Sequence, residues 1–318
     1  MLTVGEVHTG LVQNSTSLTQ LHSAQLLALL PGTRVRRSER PRAYAVSPDR
    51  LTGVDCRLAT SSGARVRGIG TVLSRAAITG GRVLQGSAYA HITKSEADRR
   101  LPWSHHLSRP GVVEIPGKAD RADLARGFLV TRQAEEILAM GAISGRMVDM
   151  VQARSPELDR KPPFKMARTR MRCVVVVHEA QPADAQIHFT IDSETTRTVQ
   201  LTVGENDLSA AVDLCEDLAL HDWLLTTLLK LIERSRSARG ARPQVVERLR
   251  PAIDDLLHLW MPAVRLDESM LPLWRSLEQK TGFTEQWEAS VGWIRDQVVL
   301  NTITLLSALV EGEGDEHG

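Results

Sequence analysis

The stretch VRGIGTVLSRAAITGGRVLQGSAYAHIT, residues 66–93, constrains this chain more than any other. Two β-branched, apolar-rich runs flank Gly80-Gly81, and glycine takes the positive φ angles of a tight turn at no steric cost. The stretch therefore predicts a long hairpin with a two-residue turn. That turn pairs Ile78 with Val83 and Val72 with Tyr89 on one face.

A second sheet signal lies further along, in MRCVVVVHE, QIHFTID and TVQLTVG. Ile187, Phe189 and Ile191 alternate with His188, Thr190 and Asp192, and Val199, Leu201 and Val203 alternate with Gln200 and Thr202. Period-2 alternation describes antiparallel strands with one covered face, and three such runs predict a meander. The helix expected to cover it runs from about Leu208 to Glu233, capped by Asn206 or Asp207.

Shorter elements fill the remainder of the first half. VGEVHTGLVQ reads as extended. TQLHSAQLLALLPG reads as a short helix capped by Thr19 and stopped by Pro31-Gly32, and VVEI at 112–115 as a strand. Residues 122–152 read as a helical region broken near Gly141 and Gly145. ARSPELDRKPPFK carries three prolines and mixed charge, the composition of a linker.

The last third is helical by pattern. Trp287, Val291, Ile294, Val298, Asn301, Leu305 and Ala308 recur at alternating spacings of four and three, a seam that packs on another helix. The expected class is α+β, with antiparallel sheets packed by helices and an all-helical C-terminal domain. Its parts are an N-terminal α+β region at 1–153, a linker or long loop at 154–168, and a meander plus long helix at 169–234. A helical domain at 243–310 and a disordered acidic tail at 311–318 complete it.

Composition narrows function mainly by exclusion. At 318 residues, 42% hydrophobic and 24% charged, the chain is ordinary folded protein. It has no long apolar run for a membrane span, and its opening residues lack the pattern of an export signal, so the expectation is cytoplasmic. Cys56, Cys173 and Cys215 are widely spaced, which argues against a disulfide framework or a cysteine-built zinc site. The only Gly-Lys pair, Gly117-Lys118, lacks the rest of a phosphate loop, and no G-x-S-x-G or H-E-x-x-H is present.

Four features remain as candidates. His221-Asp222 sits in LALHDWLLTTLLKLIE on the row Leu214, Leu218, His221, Leu225, Leu228 and Ile232, where a histidine reads as a core residue. His91 with Thr93 and His188 with Thr190 match a paired H-x-[ST] pattern. Two imidazoles could there act as base and acid on a phosphodiester, as in the two-histidine phosphoesterases that these pairs resemble. His105-His106, in PWSHHLSRP, lacks a neighbouring carboxylate in sequence, so it reads as a loop anchored by Trp103, and no metal or cofactor is expected.

Basic runs are the fourth feature. Arg34, Arg36, Arg37, Arg40 and Arg42 cluster at 34–42, and six Arg or Lys cluster at 160–172. Net charge is only +1 and nearby aromatic residues are scarce, so a nucleic-acid surface is not favoured over a protein partner. Trp274, Trp287 and Trp293 belong to a Trp-rich C-terminal third, which suits packing or docking.

VGEVHTGLVQ, RVRRSERPRAYAVSPDRLTGVDC, RGIGTVLSRAAITGGRVLQGSAYA, PWSHHLSRPGVVE and LCEDLALHDWLLTTLL together resemble an uncharacterised family of actinobacterial proteins named only by a streptomycete locus tag. The resemblance runs to about residue 235 and continues more loosely beyond. It implies genes clustered beside a variant P-loop protein and a methyltransferase-like protein, and it assigns no catalytic residue. The expectation is a non-catalytic adaptor or regulatory subunit, with a two-histidine phosphoesterase as the alternative.

Overall fold

The computed structural model describes residues 1–97, 99–130, 137–154, 158–177, 186–237 and 242–315. Ten strands are described: β1 (Leu2–Leu11), β2 (Arg36–Ser38), β3 (Tyr44–Val46), β4 (Arg50–Leu58), β5 (Val66–Thr79), β6 (Val83–Lys94), β7 (Val112–Ile115), β8 (Thr169–Val177), β9 (Ile187–Ile191) and β10 (Thr196–Val203). The described helices are α1 (Gln20–Leu27), α2 (Trp103–Leu107), α3 (Arg121–Val130), α4 (Met140–Gln152), α5 (Leu208–Ser237), α6 (Arg242–Asp255), α7 (Leu271–Thr281) and α8 (Phe283–Asp315). The class is α+β.

All ten strands form one mixed sheet, in the order β2-β3-β5-β7-β6-β1-β8-β10-β9, with β4 also on β5. The N-terminal strand is therefore interior, antiparallel to β6 on one side and to β8 on the other. This joins the chain on both sides of residues 154–168 into one sheet, so the expected linker connects two parts of a single layer. The expected meander is also corrected. β10 lies parallel to β8 and β9 pairs outside it, because β1 has already taken the other edge of β8.

The hairpin of β5 and β6 forms with a register one residue away from expectation: Thr79 faces Val83, Ile78 faces Leu84 and Leu73 faces Tyr89. Gly80 and Gly81 do take positive φ, +59° and +63°. Arg82 is the third loop residue, and its buried guanidinium donates to the Asn14 carbonyl at 2.8 Å, which draws it out of the ladder.

One face of the sheet carries Leu2, Val4, Val72, Ala90, Ile92, Val113 and Val174, packed with Leu124 of α3 and Met140 of α4. Further along the same layer Ala76, Ile78 and Leu84 pack with Leu26 and Leu27 of α1 and Met147, Val148 and Val151 of α4. The helical region expected over 122–152 does break next to Gly141, with α3 ending at Val130 and α4 starting at Met140, but α4 runs unbroken through Gly145. The helix lies close on the sheet: a Cβ on Gly86 of β6 would lie 2.4 Å from the Ser144 carbonyl oxygen. Gly86 on the strand is what lets the two approach so closely.

The chain divides into two compact units: residues 1–220 with 262–279, and 221–261 with the chain from 280 onward. The second unit is helical. His221 is fully buried within it, 5.0 Å edge-on to Trp260, which stacks on Trp287 at 4.3 Å. That fits the core reading of His221. The expected seam of α8 is buried at Trp287 and Ile294, intermediate at Val291, Val298 and Asn301, and exposed at Leu305. Helix α6, which packs against α8, is about 21 Å long against about 50 Å for α8, so it cannot cover the whole seam. The tail expected at 311–318 continues α8 as far as Asp315, and residues 316–318 lie outside the described residues.

Candidate docking site

Helix α1 begins where the Thr19 side chain accepts from the His22 amide at 3.2 Å. It buries Ser23, Leu26 and Leu27 and leaves Leu21 58% exposed. After the helix the chain turns at Gly32, φ +74°, and returns as β2. The Gln20 side chain donates to the Ser38 carbonyl at 2.5 Å and ties the helix to that strand. Between them lies a groove with Leu21, Ala24 and Ala28 on one side and residues 33–37 on the other.

β2 ends the sheet, pairing only with β3, so its outer edge has no strand neighbour among the described residues. Arg34, Arg36, Arg37 and Arg40 are exposed, and no carboxylate among the described residues lies within ion-pair distance of them. Their charge faces solvent.

Other predicted docking residues fall elsewhere. Arg42 is 5% exposed and donates to Asp217 of α5 at 3.2 Å, so it holds the fold together. Trp274 is 6% and Trp287 4% exposed, which makes both core residues, and Trp293 is half-buried on α8. A large aromatic ring gains most by leaving water, and Trp287 does so stacked on Trp260.

The phosphoesterase pair is not brought together. His91 is on β6 and His188 on edge strand β9, four strand spacings apart, about 19 Å. His188 shares a row with Gln200, Val174, Val4 and Ala90, which places it on the face opposite His91. His91 instead bonds Thr3 Oγ1 through Nδ1 at 2.8 Å, and burial lowers its basicity. Thr93 and Thr190 share these separate strands. No single phosphate can sit between them.

The second basic run is absorbed in its second half, while Arg160, Lys161 and Lys165 are exposed. Arg168 pairs with Asp149, Arg170 with Thr196 Oγ1, and buried Arg172 lies 3.7 Å from Glu6. The row from Arg36 reaches Thr169 of β8 after five spacings, about 24 Å, so the two basic segments occupy distant strands.

His105 and His106 do have a carboxylate neighbour, which the sequence reading missed. They sit on α2, anchored where Trp103 packs over Gly53 of β4, and face Glu114 of β7. His105 Nε2 is 3.0 and 3.1 Å from the two Glu114 oxygens, His106 Nδ1 is 3.7 Å away, and Arg109 also contacts Glu114. A charged residue inside the short apolar run VVEI was the available signal, since a strand in a sheet interior buries such a group only when it is paired.

No protein-family model, curated protein or solved structure matches this chain.

Proposed function

We propose that this chain is a non-catalytic adaptor or regulatory subunit of a cytoplasmic multi-protein system of the actinobacterial kind its sequence resembles. The observation that carries the reading is the outer edge of β2, which no strand covers among the described residues and of which Gln20 takes only the Ser38 carbonyl, beside a groove with an apolar side and arginines without an ion-pair partner there. An open strand edge offers main-chain hydrogen bonds to an extended segment, and Arg34, Arg36 and Arg37 select acidic side chains on it. Scattering of the one phosphoesterase-like residue set over opposite sheet faces supports a non-catalytic role. Three cysteines without a disulfide suit a reducing compartment.

The partners proposed are the proteins encoded beside the resembled family, the variant P-loop protein first. Co-purification of the full chain with each of them tests the reading, with a triple charge reversal Arg34→Glu, Arg36→Glu, Arg37→Glu as the control. An alternating Glu-Val decapeptide supplies a defined probe in fluorescence anisotropy. Wild type should bind the probe and at least one partner, and the triple variant should lose at least about tenfold in both. Equal binding by the two proteins, or no binding by wild type, overturns the reading.

A further inference from the structure

The cluster on α2 and β7 is independent of the docking groove. His105, His106 and Glu114 each offer one ligand atom, and these atoms lie within 4.8 Å of one another. We propose that this cluster is a binding site for a single zinc-like divalent cation, which clips the one-turn α2 onto the sheet.

Four observations support it. First, zinc bonds of about 2.0–2.2 Å in a tetrahedron place neighbouring ligand atoms about 3.3 Å apart. The separations from Glu114 are 3.0, 3.1 and 3.7 Å and the two imidazole ligand atoms lie within 4.8 Å of each other, so the His–Glu spacings already suit the ion and the imidazoles close on it by at most about 1.5 Å. Second, two imidazoles with one carboxylate form the borderline donor set that suits zinc over calcium or magnesium, which prefer all-oxygen sites.

Third, His106 is 3% exposed, its Nε2 has no hydrogen-bond partner, and its Nδ1 is too far from Glu114 for a hydrogen bond. Nδ1 is therefore left with its lone pair turned toward Glu114 and not engaged by it, which leaves it available to an ion. Fourth, Glu114 is 3% exposed while the His105 side chain is 31% exposed, which gives an ion a route in and leaves a fourth position for water.

Arg109 has a definite part. It contacts Glu114 Oε1, leaving Oε2 as the oxygen nearer His106. In the ion-free protein it balances the buried carboxylate. With the ion bound it remains a hydrogen-bond donor to the non-ligating oxygen, the usual support of a ligating carboxylate. Its positive charge lowers affinity, so Arg109→Gln should tighten binding.

The test uses the full chain stripped with a chelator and titrated with zinc chloride alone, followed by calorimetry. Cobalt(II) serves as an absorbing substitute. One equivalent should bind, with the intense visible bands of a four-coordinate ion when cobalt is used. His105→Gln and Glu114→Gln should each weaken binding at least about tenfold. His105 is partly exposed, so its variant keeps the test valid if Glu114→Gln does not fold; far-UV circular dichroism distinguishes these cases. Cys56→Ser should leave the affinity unchanged. No binding at about 100 µM zinc, or unchanged affinity in His105→Gln, overturns the proposal and leaves an ion-paired cluster only.

Discussion

Single polar residues in this chain are placed by the partners they meet inside the sheet and its helices. Glu216 of α5 accepts from Arg75 Nε at 2.8 Å and from Ser87 Oγ at 2.6 Å, and Asp217 accepts from Arg42 and from the Ala263 amide. Each such pair offsets a desolvation cost that neither member could bear alone. Removing one partner leaves a buried charge, so Asp217→Ala should cost about 3–5 kcal/mol in urea denaturation. Replacing both residues, as Arg42→Met with Asp217→Leu, should cost much less. Equal losses in the single and double variants would refute this.

His8 gives the pH dependence at the same scale. Its Nδ1 is 2.9 Å from Ser144 Oγ, and that hydroxyl also lies 3.1 Å from the Met140 carbonyl. Burial, aided by Arg168 and Arg170, lowers the imidazole pKa from 6.5 to about 4. The folded state therefore binds fewer protons than the unfolded chain between those values, and stability falls as pH drops from 6.5 toward 4. The contribution is about 3 kcal/mol. His91, also lowered by burial, adds in the same direction, whereas Glu6, raised by burial, acts oppositely and loses its contribution as pH rises. Denaturation at pH 7 and pH 4.5 should show a smaller acid loss for His8→Gln than for wild type. Identical losses would assign the acid sensitivity elsewhere.

At the level of elements, the close contacts are made by missing side chains. Gly86 lets α4 lie on β6, and an added methyl would meet both the Ser144 carbonyl and Val148 Cγ2, the latter at 2.8 Å. Gly86→Ala should destabilise by about 1–3 kcal/mol through overpacking, measured by the denaturant midpoint. A midpoint shift below about 0.5 kcal/mol would mean that α4 moves freely away from the strand. Gly81 combines φ +63° with an approach of 2.0 Å between its would-be Cβ and the Leu18 carbonyl, so two independent penalties act there. Amphipathic alternation and turn glycines made β5, β6, β10, α1 and α5 legible in the sequence. Register and helix continuity were not, because Arg82 is held by Asn14 and α4 by β6, both distant in sequence.

The molecule as a whole depends on its first strand. β1 pairs along its length with β6 and with β8, strands that start at residues 83 and 169. Deleting residues 2–11 opens two interior edges at once, exposing unpaired main-chain groups and the apolar residues beneath them. The truncated chain should be insoluble on expression and lack strand signal by far-UV circular dichroism, whereas a chain ending after Asp315 should match wild type. A soluble, sheet-containing truncation would show that the two halves of the sheet stand independently.

The candidate sites divide along the same line. Exposed Arg34, Arg36 and Arg37 were readable because a run of like charge next to a short amphipathic helix is a local pattern. Arg42, Trp274 and Trp287 looked like members of surface sets, yet burial is decided by what packs over a residue. The partnership of His105 and His106 with Glu114 required β7 to be wedged between β5 and β6 and α2 to lie across them.

Sequence alone determined the class, most strand and helix positions, the Thr19 cap and the glycine turn, since each follows from torsional preference and hydrophobic period within a few residues. Tertiary structure decided which strands are neighbours, which charges are buried and which imidazoles share a carboxylate. Those outcomes come from pairing segments tens to hundreds of residues apart, and every apolar strand competes for the same open edges until the whole sheet closes the choice.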